Sequence, residues 1–124
     1  MNKWALLGVG SLAGGFARYI LASGVHRVAG AAFPYGTMAV NLLGCFLIGL
    51  FNALSEYKFA LGPQGRILLM TGFCGAFTTF STFILESMTL LKDGEWLRAG
   101  LNLGGSAVLG CLVFLAGEMA AKLI

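Results

Sequence analysis

Four stretches of this chain are each about 20 residues long and nearly free of charge, and they decide what it can fold into. They run from about Trp4 to Val25, Gly36 to Ser55, Ile67 to Leu91 and Leu97 to Ala121. Bilayer hydrocarbon is ~30 Å thick and a helical residue rises ~1.5 Å, so ~20 apolar residues make one crossing. No water is available there to bond a free peptide group, so a crossing segment pairs its own backbone as a helix. The sequence therefore predicts an all-α integral membrane protein with four transmembrane helices, about 4–25, 36–55, 67–91 and 97–121. The connectors are His26 to Pro34, Tyr57 to Arg66 and Lys92 to Trp96, too short to hold a soluble domain. Residues 1–124 read as a single four-helix transmembrane domain in contact with membrane lipid.

Composition agrees and excludes other classes. Apolar residues make up 58% of the chain and charged residues 10%, against about 25% charged in soluble domains. The net charge of +3 comes from scattered Lys and Arg with no basic run, which argues against nucleic acid as a partner. Cys45, Cys74 and Cys111 each sit in an apolar run without metal or redox spacing and read as packing residues. The stretch from Lys3 through Ala17 has the outline of a signal peptide. Arg18 interrupts it and no small-residue cleavage site follows, so it reads as a first helix that is kept. No paired carboxylate, Cys-His arrangement or phosphate loop appears, and the chain is not expected to be an enzyme.

Orientation is poorly specified. An even number of crossings puts both termini on one side, with Lys3, Lys58, Arg66 and Lys122, while Arg27, Lys92 and Arg98 lie on the other. Lys and Arg bias fixes topology, and four against three is almost none. Insertion in both orientations follows, and an inverted, antiparallel homodimer is one way to use it.

Polar residues inside the hydrocarbon are costly and each needs a purpose. Arg18 in helix one has two readings: a fixed positive charge that draws anions, or a structural ion pair with Glu86. Asn41 in helix two either bonds a neighbouring helix or faces a polar path. Helix three carries the run Gly72-Phe73-Cys74-Gly75-Ala76-Phe77-Thr78-Thr79-Phe80-Ser81-Thr82-Phe83. Four hydroxyl residues in five positions, after Gly72 and Gly75, predict a helix broken near the midplane. Broken helices at that depth are where ions are coordinated. Phe80 and Phe83 share a face, and an aromatic ring carries partial positive charge on its edge. Ring edges, hydroxyls and an amide together form a wall past which a small anion can move without being trapped. In helix four, Asn102, Ser106 and Gly110 recur every four residues, either as helix glue or as an opposite wall. Gly10 and Gly14, and again Gly100 and Gly104, have the spacing that lets helix backbones approach closely.

These residues resemble a known family. Gly14-Gly15-Phe16-Ala17-Arg18-Tyr19, then Gly36-Thr37 with Val40-Asn41 and Gly44, then Gly72 to Phe83 with Glu86, are similar to the small fluoride channels called Fluc or CrcB. The resemblance covers all four helices in order. It implies an antiparallel homodimer in the cell (inner) membrane with two fluoride pores and a central structural sodium ion. By resemblance, Asn41, Phe80 and Phe83 line the pore and Ser81 and Thr82 form its polar track. Gly75 and Thr78 match the residues whose carbonyls hold the sodium, and Asn102 and Ser106 occupy pore-facing positions of helix four. This chain has Gly75-Ala76 where the family often has Gly-Gly, a change that leaves the carbonyls in place.

Two other readings compete. A dual-topology multidrug transporter has a similar length but uses an intramembrane carboxylate in helix one, where this chain has Arg18. A structural subunit of a larger complex explains the glycines and leaves the hydroxyl run without a purpose.

Overall fold

The computed structural model describes residues 1–124 and contains helices and connecting turns only. Helix α1 spans Lys3–Ala29 and α2 spans Tyr35–Glu56. The third crossing, Pro63–Lys92, is split into α3 (residues 63–77) and α4 (Ser81–Lys92). Helix α5, Trp96–Lys122, completes the four segments long and apolar enough to cross a membrane.

The helix ends follow local chemistry. Asn2 caps α1 by accepting a hydrogen bond from the Ala5 amide at 2.8 Å. His26 and Arg27 lie in its last turn, where the helix dipole favours positive charge, and Gly30 stops it with φ of 88°. Pro63 opens α3 at a first-turn position where its missing N–H costs nothing. Helix α1 continues to Ala29, past the expected end near Val25. Hydropathy marks the hydrocarbon, whereas helical hydrogen bonding runs on into the headgroup layer.

Glycine contacts set the packing. On α1, Gly10 faces the Leu68 carbonyl and Gly14 the Phe73 carbonyl, with no room for a methyl group at either. Between α2 and α5, Gly49 abuts the Phe114 carbonyl and Gly117 the Phe46 carbonyl. Close backbone approach of this kind replaces the hydrophobic force that lipid cannot supply. The Gly10 and Gly14 pair thus behaves as its spacing suggests. Gly100 and Gly104 do not: no atom of the chain lies within 4 Å of a Cβ placed at either. Spacing identifies a face of small residues without saying whether anything packs on it.

Two crossings depart from regular α geometry. Arg66–Cys74 in α3 and Leu101–Gly105 in α5 are wound as π-helix. Such wide turns are uncommon and often sit beside functional sites. Here one leads into the helix break and the other carries Asn102.

Candidate functional site: a braced helix break

The third crossing breaks at residues 78–80. Thr78 is extended, at φ −93° and ψ 161°, and helix resumes at Ser81. A break strands backbone groups at the end of one half-helix and the start of the next. Three side chains bond some of them. The Asn41 Oδ1 accepts from the Thr79 N–H at 2.8 Å, and the Asn41 Nδ2 donates to the Thr79 carbonyl at 3.0 Å. The Thr79 hydroxyl accepts from the Thr82 N–H at 3.4 Å, capping α4. The Thr78 hydroxyl donates back to the Cys74 carbonyl at 3.0 Å. Asn41 is thus a two-point brace from α2 to the break, in addition to any part it takes in a polar path.

The brace frees two oxygens. The Gly75 carbonyl loses its usual partner four residues on, because the Thr79 N–H has turned to Asn41. The Thr78 carbonyl receives no hydrogen bond. Both residues line an open cleft of about 650 Å³. Uncharged, unpartnered carbonyls beside open space are the donors a monovalent cation uses, so this pair fits such an ion.

The same cleft gathers most of the residues singled out from sequence. Asn41, Gly75, Thr78, Phe80, Phe83 and Ser106 all line it, and no charged side chain does. The Phe80 and Phe83 rings stand 6.1 Å apart with a 51° tilt. Phe80 is 74% exposed, an open aromatic face at the break. Ser81 and Thr82 begin α4 beside the cleft without lining it, and neither hydroxyl has a hydrogen bond within the chain.

Three residues sit otherwise than the sequence alone suggests. Asn102 is buried, and its Nδ2 donates to the buried Ser87 hydroxyl at 2.8 Å. It joins α5 to α4 and is not among the residues that line the cleft. Arg18 makes no ion pair with Glu86; the one salt bridge is Arg98 to Glu95, 3.6 Å apart at a helix end. Glu86 instead accepts a hydrogen bond from the Thr37 hydroxyl, in a smaller cleft with His26 and Arg27. Neither Thr37 nor Ser87 is marked as a site residue by sequence reasoning. Thr37 lies in the Gly36-Thr37 pair noted above, and Ser87 carries no local signal.

The fold and the site define a class: a small four-span helical membrane protein built around a discontinuous helix, with an uncharged, mostly apolar cleft at the discontinuity that carries a few polar groups. The chain belongs to a recognised family of such proteins, described as "CrcB-like protein, Camphor Resistance (CrcB)", which matches residues 5–118. It is 40% identical to the "Fluoride-specific ion channel FluC" of Maridesulfovibrio salexigens, over 100% of this chain and 98% of the relative. It is 46% identical to the protein of that name in Chlorobaculum tepidum, over 99% and 97%, and 48% identical to that of Chlorobium phaeobacteroides, over 95% and 91%. The chain is a multi-pass protein of the cell membrane.

Proposed function

We propose that this chain is a fluoride-selective channel that lets fluoride leave the cell passively, lowering its cytoplasmic concentration. The observation that carries the reading is the cleft where Asn41, Phe80, Phe83 and Ser106 converge on the helix break with no charged side chain among its lining. Fluoride is small and strongly hydrated, so shedding its water requires dense donors. Neutral donors and ring edges bind it weakly enough to release it. Relatives that cover the whole chain are named as fluoride-specific ion channels, which supports the choice of anion.

The working unit is an inverted homodimer with two pores at its interface. The four-to-three balance of loop charges supports insertion both ways. A single copy leaves the cleft open and Phe80 exposed, and a second copy would close both. In each pore, Asn41, Phe80, Phe83 and Ser106 contact the ion, Ser81 and Thr82 pass it along, and Arg18 attracts anions at the mouth. A sodium ion on the two-fold axis would be held by the Gly75 and Thr78 carbonyls of both copies, giving the freed oxygens a partner and locking the dimer. Asn102 acts behind the wall rather than in it. A proton-coupled drug transporter is the poorer reading, because no carboxylate lines the cleft.

Purified protein in liposomes loaded with fluoride tests the proposal, with efflux read by a fluoride electrode. Absence of efflux above protein-free liposomes refutes the channel reading. Cysteine labelling of the Lys58 loop from one side alone would refute the inverted dimer, and an intact, fully active dimer without any monovalent cation would refute the sodium site.

A further inference from the structure

Asn102 and Ser87 are the two most deeply buried polar side chains in the protein, 1% and 0% exposed. They are the middle of a chain of hydrogen bonds. Ser106 Oγ donates to Asn102 Oδ1 at 3.5 Å, Asn102 Nδ2 donates to Ser87 Oγ at 2.8 Å, and Ser87 Oγ donates to the Phe83 carbonyl at 2.8 Å. One end is the backbone of a cleft aromatic and the other is Ser106, which lines the cleft itself.

A hydroxyl has one proton. With the chain running in this direction Ser106 gives its proton to Asn102 and shows the cleft only lone pairs, which repel an anion. The opposite direction keeps two of these three bonds within the chain and leaves the third donor for the cleft. An amide oxygen and nitrogen exchange places by a half-turn of the side chain. Asn102 Oδ1 then accepts from Ser87, Asn102 Nδ2 donates to Ser106 Oγ, and the Ser106 proton is free to point into the cleft. The Phe83 carbonyl loses only an extra side-chain donor, because it lies within α4 and the helical ladder supplies its backbone partner. The bond that must break first is the longest of the three and the one nearest the cleft.

We propose that Asn102 is a positioning residue whose amide half-turn reverses this chain and makes Ser106 a hydrogen-bond donor to the anion in the cleft. The inference rests on the fluoride-channel reading. An amide is the side chain suited to this role, because it carries a donor and an acceptor in interchangeable positions and is neutral. The reversal is driven by the anion, since only the reversed direction offers it a proton.

A double-mutant cycle in liposomes tests this, with fluoride efflux measured over a range of fluoride concentrations. Ser106→Ala removes the donor and is expected to lower flux about tenfold to a hundredfold, the worth of a hydrogen bond to a charged group. Asn102→Leu is expected to cause a loss of similar size, because the Ser106 hydroxyl then bonds back to its own helix. The double variant is expected to be no worse than Ser106→Ala alone. Ser106→Thr keeps a hydroxyl to be oriented, so whatever flux that variant retains should fall further on Asn102→Leu, as Ser106→Ala should not. Losses that multiply in the double variant overturn the proposal, since Asn102 would then act independently of Ser106. If Asn102→Leu does not fold, Asn102→Ser, too short to bridge both hydroxyls, replaces it in the same cycle. A parent protein that carries no fluoride refutes the channel reading itself, whereas a conducting parent with an additive cycle refutes only the role of Asn102.

Discussion

Replacing Asn41 by aspartate separates the two duties that the structure gives this side chain. Asparagine donates to the Thr79 carbonyl at 3.0 Å and accepts from the Thr79 N–H at 2.8 Å. In Asn41→Asp the ionised carboxylate keeps the acceptor and loses the donor. It sets two oxygens at hydrogen-bond distance and leaves a carbonyl unsatisfied, at a cost of about 1–3 kcal/mol. It also places a negative charge beside the permeating anion. At ~4 Å and an effective dielectric of ~20 that repulsion is about 4 kcal/mol, on the order of a thousandfold in occupancy. Flux in liposomes at about pH 7.5 should therefore be nearly abolished. Protonation removes both defects together, since a neutral carboxyl again offers one donor and one acceptor. Flux should therefore return as the pH is lowered from about 7.5 until the new carboxyl takes up a proton. Asn41→Leu cannot titrate and should show a low, flat profile over that range. Parent-like conduction by Asn41→Asp at the higher pH would refute the electrostatic part. A loss that acid does not relieve, in a variant that remains folded, would refute the brace.

Phe80→Ile and Phe83→Ile keep bulk and delete the ring edges, so each should cut fluoride efflux severalfold in liposomes while gel filtration shows an unchanged assembly. Phe77 is the obvious aromatic comparison from sequence, but it is buried and stacked on Phe73 at 5.4 Å, so the exposed Phe16 is the better control. Gly10→Ala drives a methyl group into the Leu68 carbonyl and should cost about 1–3 kcal/mol in detergent unfolding, whereas Gly8→Ala, with open space around it, should cost almost nothing. Thr37→Val leaves the Glu86 carboxylate without its donor and should lower the same unfolding midpoint, with Thr37→Ser restoring it.

How far the sequence reached depends on the range of each interaction. Hydropathy is summed over ~20 residues, so the four crossings could be found with no knowledge of their neighbours. The break was legible for a similar reason: Gly72, Gly75 and the hydroxyls at Thr78, Thr79, Ser81 and Thr82 weaken helix locally. The brace was not, because Asn41 and Thr79 are 38 residues apart and only the packing of α2 on the break unites them. The same limit hid the bond from Thr37 to Glu86, which left Arg18 as the natural partner for that carboxylate. For Asn102, four-residue spacing suggested a stripe with Ser106 and Gly110. The π-wound turn at Leu101–Gly105 offsets the two flanking parts of α5 by about one residue, and Asn102 turns to α4. Gly100 and Gly104 show the remaining gap, since a motif for close approach does not name the surface approached.

The brace also bears on the order in which the molecule is made. Chains fold from the N-terminus as they are synthesised. A break entering hydrocarbon with its peptide groups unpaired is costly, several kcal/mol for each group. Asn41 is translated before Thr79, so its amide is already in the bilayer when the unpaired Thr79 groups arrive. The fragile segment is never the first of the pair to enter lipid. A permuted gene that placed the third crossing ahead of the second would encode the same finished contacts, yet it would expose the break to lipid before its partner existed.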